Sequence, residues 1–394
     1  FNPKIHYLND KKLPPVETGT EFYGTTALAD HAVKCLQDHA NNHPKQPFFH
    51  YLAFTAPHFP LHGLPEDIAR YETQYQRDWA EVRRERWERQ KRAGLIQGGL
   101  SAVERNLGPP YAFPDAIKKL GPGEVNRPLA WGDLTTKQQD FQAIKMAIHA
   151  AMIDRLDREL GKVLNQIREM DAWDSTLILF LSDNGASAEI MVRDDGHDPN
   201  APPGSAATYL CLGPGWSTTC NTPFRRHKTW VHEGGIATPL IAHWPNEIKD
   251  HGQIVHQPGH VIDLVPTLFE ITGVKGHGAG EEHDPPMRPG RSMMSAMVGS
   301  TQIQPRELWW NHDGNRAIRS GNWKLVAAGE GAPWELYDLA NDRSEQKNLA
   351  AINTKLTQRL SGRWEALQLQ FIDQASRDLG ASVEKSSEGG RNNE

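Results

Sequence analysis

The chain has 394 residues, of which 38% are hydrophobic and 23% are charged, and its formal net charge is −6. This composition is typical of a folded globular protein, and the mild negative charge argues against a surface that coats nucleic acid. The longest aliphatic run, at about Leu177–Leu181, is far shorter than the roughly 18 apolar residues that a membrane span requires.

The first elements predicted along the chain are a helix over 21–40 and a strand over 48–54. The helix has apolar residues at a spacing of four. The strand is a short aromatic and aliphatic run, typical of a buried strand, and it ends at an Ala-Pro-His turn. The charged stretch 66–92 is typical of a solvated helix that covers the core, with Trp79, Val82, Arg86 and Trp87 on one face. The Gly- and Pro-rich residues 93–133 predict a long surface loop.

A long helix is predicted next. Thr135 and Gln138 form a capping-box pattern, and apolar residues then recur at steps of three or four as far as about Asp171. A fully apolar strand follows over 176–181 and leads directly into the polar residues 182–185. A helix that crosses over to a buried strand is typical of an open parallel sheet. We therefore predict an α/β fold with a central, mostly parallel sheet.

The chain changes character after residue 275. Before that point, 236–244 predicts a strand and 261–273 a helix that ends at glycine. After a linker rich in Gly, Pro and His, short strands and a helix over 353–372 predict a small antiparallel α+β subdomain. The predicted organisation is a main domain, a C-terminal subdomain and a disordered tail, at 1–275, 276–375 and 376–394.

Polar residues stand next to three of the predicted strands, at the positions where open α/β sheets bind ligands. His58 follows the first strand, Asp183 and Asn184 follow the second, and Lys228 precedes the third. The Asp-Asn pair offers oxygens that suit a hard cation such as Ca²⁺, but Asp-Asn-Gly is also a common turn. His58 is a candidate general acid or ligand, or a histidine that is merely hydrogen-bonded. A single lysine such as Lys228 is more often a surface residue.

Other patterns carry less information. The acidic loop 194–198 offers metal ligands, although its sequence is more typical of a solvated turn. The motifs of serine hydrolases, zinc proteases, P-loop proteins and dinucleotide-binding folds are absent from the sequence. Three cysteines are too few for a disulfide framework. Cys211 and Cys220 are close enough in sequence to pair, or they are ordinary buried thiols.

Taken together and in order, several segments of the chain resemble the sulfatase family of the alkaline-phosphatase-like superfamily. Each segment alone is weakly specific, but the combination is highly specific and covers nearly the whole chain. An insert that begins at Leu61 resembles the bacterial arylsulfatase branch in particular. The matching segments are FFHYLAFTAPHFPLH (48–62), AAMIDRLDRELGKVL (150–164), LILFLSDNGAS (177–187), HKTWVHEGGIATPLIAHWP (227–245), NRAIRSGNWKLV (315–326) and WELYDLANDRSEQKNL (334–349).

The resemblance implies an alkaline-phosphatase-like α/β sandwich and sulfuric ester hydrolysis of the arylsulfatase type. By position, Asp183 and Asn184 match two Ca²⁺ ligands of the family, His58 matches a histidine near the bridging oxygen of the ester, and Lys228 matches a lysine that contacts the sulfate group. These residue types suit the chemistry, because cleavage needs positive charge at the sulfate oxygens and a proton or cation at the departing oxygen. An aryl or carbohydrate sulfate ester as substrate and a periplasmic or secreted location are implied as well.

The chain departs from the family at the nucleophile. The family makes a formylglycine from the Cys or Ser of a C/S-x-P-x-R motif, and none of Cys35, Cys211 and Cys220 lies in that motif. The metal ligands are also too few, since one Asp and one Asn supply only a minority of the roughly six to eight oxygens that Ca²⁺ takes. We therefore expect the chain to be the C-terminal part of a longer sulfatase, and to be inactive alone.

Two other functions stay open on the sequence. One is phosphonate or phosphodiester hydrolysis within the same superfamily, and the other is a non-catalytic pseudoenzyme that binds a sulfated ligand. In the C-terminal subdomain, Trp309, Trp310, His312 and Arg316 either line the substrate entrance or pack the antiparallel sheet. His232 is near Lys228 in sequence alone and is not predicted to be catalytic.

Overall fold

The computed structural model describes residues 1–111, 113–193, 196–274, 290–299 and 305–388. These residues form two compact units. The first unit contains 1–96, 100–228 and 234–246, and the second contains 97–99, 229–233 and the described residues from 247 onward. The predicted domain bounds, 1–275 and 276–375, stay predictions.

Helices make up most of the regular structure of the first unit. The last one, α7, begins at a residue of the second unit, and the irregular segment between α4 and α5 also contains a 3-10 turn at Trp131–Asp133. The helices are α1 (Gly24–Asn42), α2 (Pro65–Ala69), α3 (Trp79–Arg92), α4 (Pro114–Leu120), α5 (Thr136–Glu169), α6 (Gly213–Cys220) and α7 (Glu233–Ile236).

The long helix α5 is the core element of this unit. Its start confirms the predicted capping box, because the Gln138 backbone N–H donates to Thr135 Oγ1 at 3.3 Å and the Thr135 N–H donates to Gln138 Oε1 at 2.9 Å. Along its length, Ile148 packs in one buried cluster and Ile167 in another that includes residues of α1. The apolar face predicted from the sequence is therefore the face that organises the core.

Two predicted features between α1 and α5 were wrong in part. The solvated helix over 66–92 is two helices, α2 and α3, and its Trp79 and Arg83 are buried. The surface loop over 93–133 contains α4 and also contributes Val125 to the core. The burial of Trp79 agrees with the helix face predicted from the sequence. The inward packing of Val125 was not predicted, because Gly and Pro content averaged over the segment does not reveal single buried positions.

Two strands lie at the base of the candidate site. β3 (Ile178–Leu181) and β4 (Leu240–His243) pair antiparallel, with Leu181 opposite Leu240. The chain turns back between them because the segment after β3 is bonded to the segment before β4, where the Gly185 N–H donates to the Gly235 carbonyl at 3.0 Å. This pair is therefore antiparallel, within a fold predicted to have a mostly parallel sheet, and both strands are shorter than predicted. A separate short hairpin joins β1 (Tyr7–Leu8) to β2 (Lys11–Lys12).

The buried strand predicted over 48–54 was wrong. The segment has no strand assignment, and its side chains alternate between two environments. Phe48, Leu52 and Phe54 pack against the cluster formed by α1 and α5, whereas the side chains of Phe49 and Tyr51 are 74% and 83% exposed. One face of an extended segment is thus covered by helices, and an apolar run cannot show from sequence alone that its other face is uncovered.

The second unit contains the predicted antiparallel sheet. Its strands pair in chain order as a meander. The unit also includes a 3-10 turn at Val261–Asp263, α8 (Leu264–Thr272), which ends as predicted with Gly273 in the left-handed conformation, and α9 (Met294–Met297). The sheet strands are β5 (Glu307–His312), β6 (Asn315–Ser320), β7 (Trp323–Ala327) and β8 (Glu335–Asp338).

The last helix, α10 (Thr354–Glu388), is longer than predicted. Leu360 and Leu367 anchor it in the buried cluster of the sheet. A helix that is already nucleated by packing extends at little cost, so the polar residues from 376 to Glu388 continue it. The segment predicted as a tail from 376 is helical as far as Glu388, and 389–394 lie outside the described residues.

The three cysteines are free thiols. Burial raises the pKa of Cys211 to about 12 and that of Cys220 to about 11. The pairing of Cys211 with Cys220 is therefore not observed. Within the described ranges, no helix has the length and apolar character that crossing a membrane requires.

Candidate functional site

His58 and Lys228, which are 170 residues apart in sequence, contact each other directly. Lys228 Nζ lies 3.1 Å from His58 Nε2, and His58 Nδ1 lies 2.7 Å from the carbonyl oxygen of Phe59. A carbonyl only accepts hydrogen bonds, so His58 Nδ1 carries the proton and Nε2 accepts a hydrogen bond from the Lys228 ammonium. The contact thus fixes the tautomer of the histidine and joins two of the predicted site residues.

Asp183 and Asn184 lie on the loop that leaves β3. Asp183 is exposed and Asn184 is half-buried. The loop is held at its start by Thr238, whose hydroxyl donates to the Ser182 carbonyl at 2.8 Å, and Ser182 in turn donates to the Asn184 carbonyl at 3.1 Å. The backbone of this pair is therefore held by the segment that precedes β4, and Asp183 is exposed to solvent.

The Asp-Asn loop and the lysine segment meet at Ala186. The Lys228 N–H donates to the Ala186 carbonyl at 3.1 Å. Ala186 is two residues beyond Asn184, and two trans peptide units span at most about 7.6 Å between α-carbons. The structure therefore brings the four predicted residues, His58, Asp183, Asn184 and Lys228, into one region of the first unit.

Glycines make this close approach possible. A Cβ added to Gly185 would lie 1.9 Å from the Gly234 carbonyl oxygen, and one added to Gly234 would lie 2.1 Å from the Arg225 carbonyl oxygen. No larger residue fits at either position without moving backbone. The glycine of the Asp-Asn-Gly motif is thus required by packing between loops, which was not predicted; the sequence suggested only a turn.

Ser217 and His227 form a buried pair beneath the lysine, which the sequence analysis missed. Ser217 Oγ lies 2.7 Å from His227 Nδ1 and donates to the Ala186 carbonyl at 3.0 Å, so the His227 Nδ1–H donates to the serine oxygen. Burial lowers the pKa of His227 to about 3, which keeps the ring neutral. The signal available in the sequence was only the adjacency of His227 to Lys228.

Glu233, which follows Lys228 by five residues, is buried and forms ion pairs. In the second unit, the buried Lys324 ammonium lies 2.9 Å from an oxygen of Glu233 and 2.9 Å from one of Glu345. Burial alone would raise the pKa of Glu233, but the charges of Lys324 and Arg343 outweigh it and hold that pKa below its usual range. His232 is fully buried there, with Nε2 at 3.5 Å from a Glu335 oxygen. These contacts anchor the segment through the buried side chains of Lys324, Glu233 and His232.

The C-terminal aromatic residues pack rather than form an opening. Trp309 stacks on Trp364 at 5.8 Å, and the Trp364 indole N–H donates to the Trp310 carbonyl at 3.0 Å. Arg316 lies over the Trp334 ring at 4.6 Å. His312 is exposed. The contacts favour packing of the antiparallel sheet over a substrate entrance for these residues.

The acidic loop 194–198 is described only in part, since Asp194 and Asp195 lie outside the described residues. His197 Nδ1 accepts a hydrogen bond from the Tyr209 N–H at 3.0 Å, and Asp198 Oδ1 accepts one from the Asn200 N–H at 2.9 Å. These bonds are those of a turn.

The donor set beside Lys228 suits a hard cation but does not complete a site. The Asp183 carboxylate and the Asn184 amide oxygen are ligand types that Ca²⁺ takes. Across the part of the chain that the structure describes, no group of three or more His, Cys, Asp or Glu side chains converges as a metal site. The two residues therefore supply two ligand groups of the kind that Ca²⁺ takes, which is fewer than such a site requires.

Comparisons with known proteins found two matching family models and several similar sequences. The family model described as Sulfatase matches residues 2–274, and the model for the C-terminal region of N-sulphoglucosamine sulphohydrolase matches residues 225–370. An uncharacterized sulfatase of Schizosaccharomyces pombe is 29% identical over 359 residues, which are 87% of this chain and 61% of that protein. An arylsulfatase of Klebsiella aerogenes is 31% identical over 266 residues, which are 64% of this chain and 52% of that protein.

Solved structures show the same fold. Ps i-CgsB has a TM-score of 0.53 at 23% identity, and the match covers 90% of this chain and 58% of that one. The same protein has been solved with k-i-k-neocarrahexaose, and that complex matches with a TM-score of 0.54. The chain spans about half to three-fifths of the length of the two curated relatives described above.

Proposed function

The chain belongs to the sulfatase family, and we propose that it forms the larger part of an arylsulfatase-type sulfuric ester hydrolase. The observation that carries this proposal is the contact of Lys228 with His58 beside the Asp183–Asn184 loop. It places a cation, an imidazole and oxygen donors in one exposed region. That is the set of groups that binding and cleavage of a sulfate ester would use.

Lys228 would bind the sulfate group. Its ammonium has three donors, and it gives only one of them to His58 in the arrangement described. Charge-assisted hydrogen bonds to sulfate oxygens are stronger than its bond to a neutral imidazole. The oxygens of a bound sulfate ester would therefore accept the hydrogen bonds of the ammonium, and His58 Nε2 would no longer be bonded to Lys228.

His58 would act at the departing oxygen. Its Nδ1–H is held by the Phe59 carbonyl, so Nε2 is the atom that faces Lys228 and the substrate. A proton at Nε2 would pass to the alcohol or phenol oxygen as the S–O bond breaks, which is general acid catalysis.

Asp183 and Asn184 would hold the Ca²⁺ that the family uses, and its charge would neutralise sulfate oxygens. The family's formylglycine would supply the nucleophile, and no cysteine of the 394 residues lies in its motif. We infer that the nucleophile and the remaining ligands lie upstream in a longer polypeptide, and that the 394 residues alone bind sulfate without turnover.

The substrate class follows from the relatives' names. They include an arylsulfatase and N-acetylgalactosamine-6-sulfatases, and the matching Ps i-CgsB was solved with a neocarrahexaose. We propose an aryl or carbohydrate sulfate ester as the substrate. A periplasmic or secreted location is proposed from the family alone.

The test compares two polypeptides and two substrates. The 394-residue chain and the longer polypeptide read from the coding sequence upstream of Phe1 are assayed with 4-nitrophenyl sulfate and 4-nitrophenyl phosphate, with Ca²⁺ and after chelation. We expect an in-frame C/S-x-P-x-R motif upstream and sulfate-ester turnover by the longer polypeptide only.

Three outcomes would contradict the proposal. Robust turnover by the 394 residues would refute their dependence on an upstream nucleophile. Preference for the phosphate ester would favour the phosphodiester or phosphonate alternative. A start codon adjacent to residue 1 would favour a sulfate-binding pseudoenzyme.

A further inference from the structure

The side chain of Asn221 bonds two separate loops of the proposed site. Its Oδ1 accepts the Ala186 N–H at 2.7 Å, and its Nδ2 donates to the carbonyls of Ala186 at 3.1 Å and of Arg226 at 3.0 Å. The Ala186 N–H needs an acceptor, so the orientation of the amide is determined. Asn221 is 7% exposed, so water does not compete for these bonds.

Both of the loops bonded by Asn221 carry candidate site residues. Ala186 is two residues after Asn184, and Arg226 is two residues before Lys228. Asn221 itself follows the end of α6, whose Trp216 is fully buried in the core. The Asn221 amide group, at the end of α6, thus fixes the spacing between the Asp183–Asn184 loop and Lys228.

The backbone around Lys228 is strained and needs hydrogen bonds that hold it in place. Arg226 and Thr229, on either side of Lys228, have φ values of 64° and 88°, in the left-handed region that L-residues other than Asn and Asp rarely adopt. Residues held in this way each cost about 1–3 kcal/mol and persist only when their surroundings over-determine them. Release of the Arg226 carbonyl would let the segment relax toward ordinary backbone angles.

We propose that Asn221 is a positioning residue that couples the Asp183–Asn184 loop to Lys228, so that cation binding at the first and sulfate binding at the second favour each other. The proposal rests on the proposed function. Asn221 touches neither ligand. It acts through Ala186 and Arg226, and its loss would leave the Ser217–His227 pair in place beneath the lysine.

The test measures coupling in the longer polypeptide proposed above, which would supply the remaining ligands of the cation. Calorimetric titrations determine the dissociation constant of sulfate with and without Ca²⁺, and that of Ca²⁺ with and without sulfate. In the wild type we expect each ligand to tighten the other by about fivefold or more, which is the usual range for a coupling between sites. In Asn221→Ala we expect each ligand to change the dissociation constant of the other by less than about twofold. We also expect sulfate to bind this variant more weakly than the wild type when Ca²⁺ is absent.

Three further variants separate positioning from stability. Asn221→Asp retains an acceptor for the Ala186 N–H but has no donor for the two carbonyls, so it should restore part of the coupling. Val163→Ala destabilises the cluster formed by α1 and α5. It should lower the melting temperature about as much as Asn221→Ala does and should leave the coupling unchanged. Asn200→Ala, at an exposed turn, should behave as the wild type.

The possible failures are distinguishable. A wild-type chain that binds neither ligand overturns the proposed function and the positioning role with it. A wild-type chain that binds both without coupling, or an Asn221→Ala chain that keeps the coupling, overturns only the positioning role. If Asn221→Ala does not fold, Asn221→Asp decides, and full coupling in that variant contradicts the proposal.

Discussion

At the scale of single residues, one proton decides what His58 can do. Because Nδ1 donates to the Phe59 carbonyl, a second proton on Nε2 would stand 3.1 Å from the Lys228 ammonium. Two positive charges at that distance repel each other unless an anion lies between them. In the arrangement described, Nε2 is therefore the atom that accepts the hydrogen bond of the Lys228 ammonium.

Replacement of Lys228 by methionine tests its part in anion binding. We expect the affinity for sulfate to fall about tenfold or more, because a charge-assisted hydrogen bond contributes roughly 1.5–3 kcal/mol. Isothermal titration of the 394-residue chain with sulfate measures this. The matched control is Lys118→Met, at an exposed position on α4, which should leave the affinity unchanged. An equal affinity in wild type and Lys228→Met would remove Lys228 from the site.

The residues with reactive or charged side chains could be selected from the sequence, whereas Asn221 could not. Lys228, His58, Asp183 and Asn184 each carry chemistry in their own side chains, so residue type and a strand-end position singled them out. Their roles stay predictions. Asn221 carries no such signal, because an Asn after a helix is ordinary and its partner Ala186 is 35 residues away. Its importance arises only from the tertiary contact.

At the scale of elements, local patterns were reliable where their cause is local. The capping box at Thr135 and the left-handed Gly273 at the end of α8 depend on neighbours within a few residues, and both are observed. The strand over 48–54 depends on what lies on both sides of it. Its apolar run did not show that Phe49 and Tyr51 face solvent.

The cap of α5 gives a prediction at the element scale. Thr135→Ala removes the hydroxyl that accepts the Gln138 N–H. We expect the free energy of unfolding to fall by about 1 kcal/mol, as is typical for loss of an N-cap. Urea denaturation measures this, with Thr73→Ala at an exposed position as the control. No change in the midpoint would mean that the packing of α5 alone determines its start.

At the scale of the whole molecule, the predicted α/β fold is confirmed, since the solved structure of Ps i-CgsB matches 90% of the chain with a TM-score of 0.53. The antiparallel C-terminal sheet was predicted strand by strand, because each strand is bounded by turns. The pairing of β3 with β4 was not, since it depends on loops 50 residues apart, joined at Gly185 and Gly235.

Buried neutral histidines predict a loss of stability in acid. Burial, with a smaller contribution from the charge of Arg86, lowers the pKa of His149 from 6.5 to about 4. The unfolded chain therefore binds a proton that the folded chain does not, and stability falls as the pH drops from about 6.5 to about 4. This single residue should account for roughly 2 kcal/mol of the loss between pH 7 and pH 4.5.

The variant His149→Leu isolates this effect. Urea denaturation at both pH values should show a smaller acid loss in His149→Leu than in the wild type, whatever the variant costs at pH 7. The control is His43→Leu, at an exposed position, which should retain the wild-type loss. An identical acid loss in His149→Leu would mean that His149 becomes protonated in the folded state.

The central claim is that Lys228, His58 and the Asp183–Asn184 pair serve one anion. The most direct measurement is anomalous diffraction from crystals of the 394-residue chain soaked in selenate, an isostere of sulfate, with Ca²⁺ present. We expect selenate oxygens within about 3 Å of Lys228 Nζ and His58 Nε2, on the side of the Asp183 loop. Selenate bound only at other positions, with the Lys228–His58 contact intact, would contradict the claim.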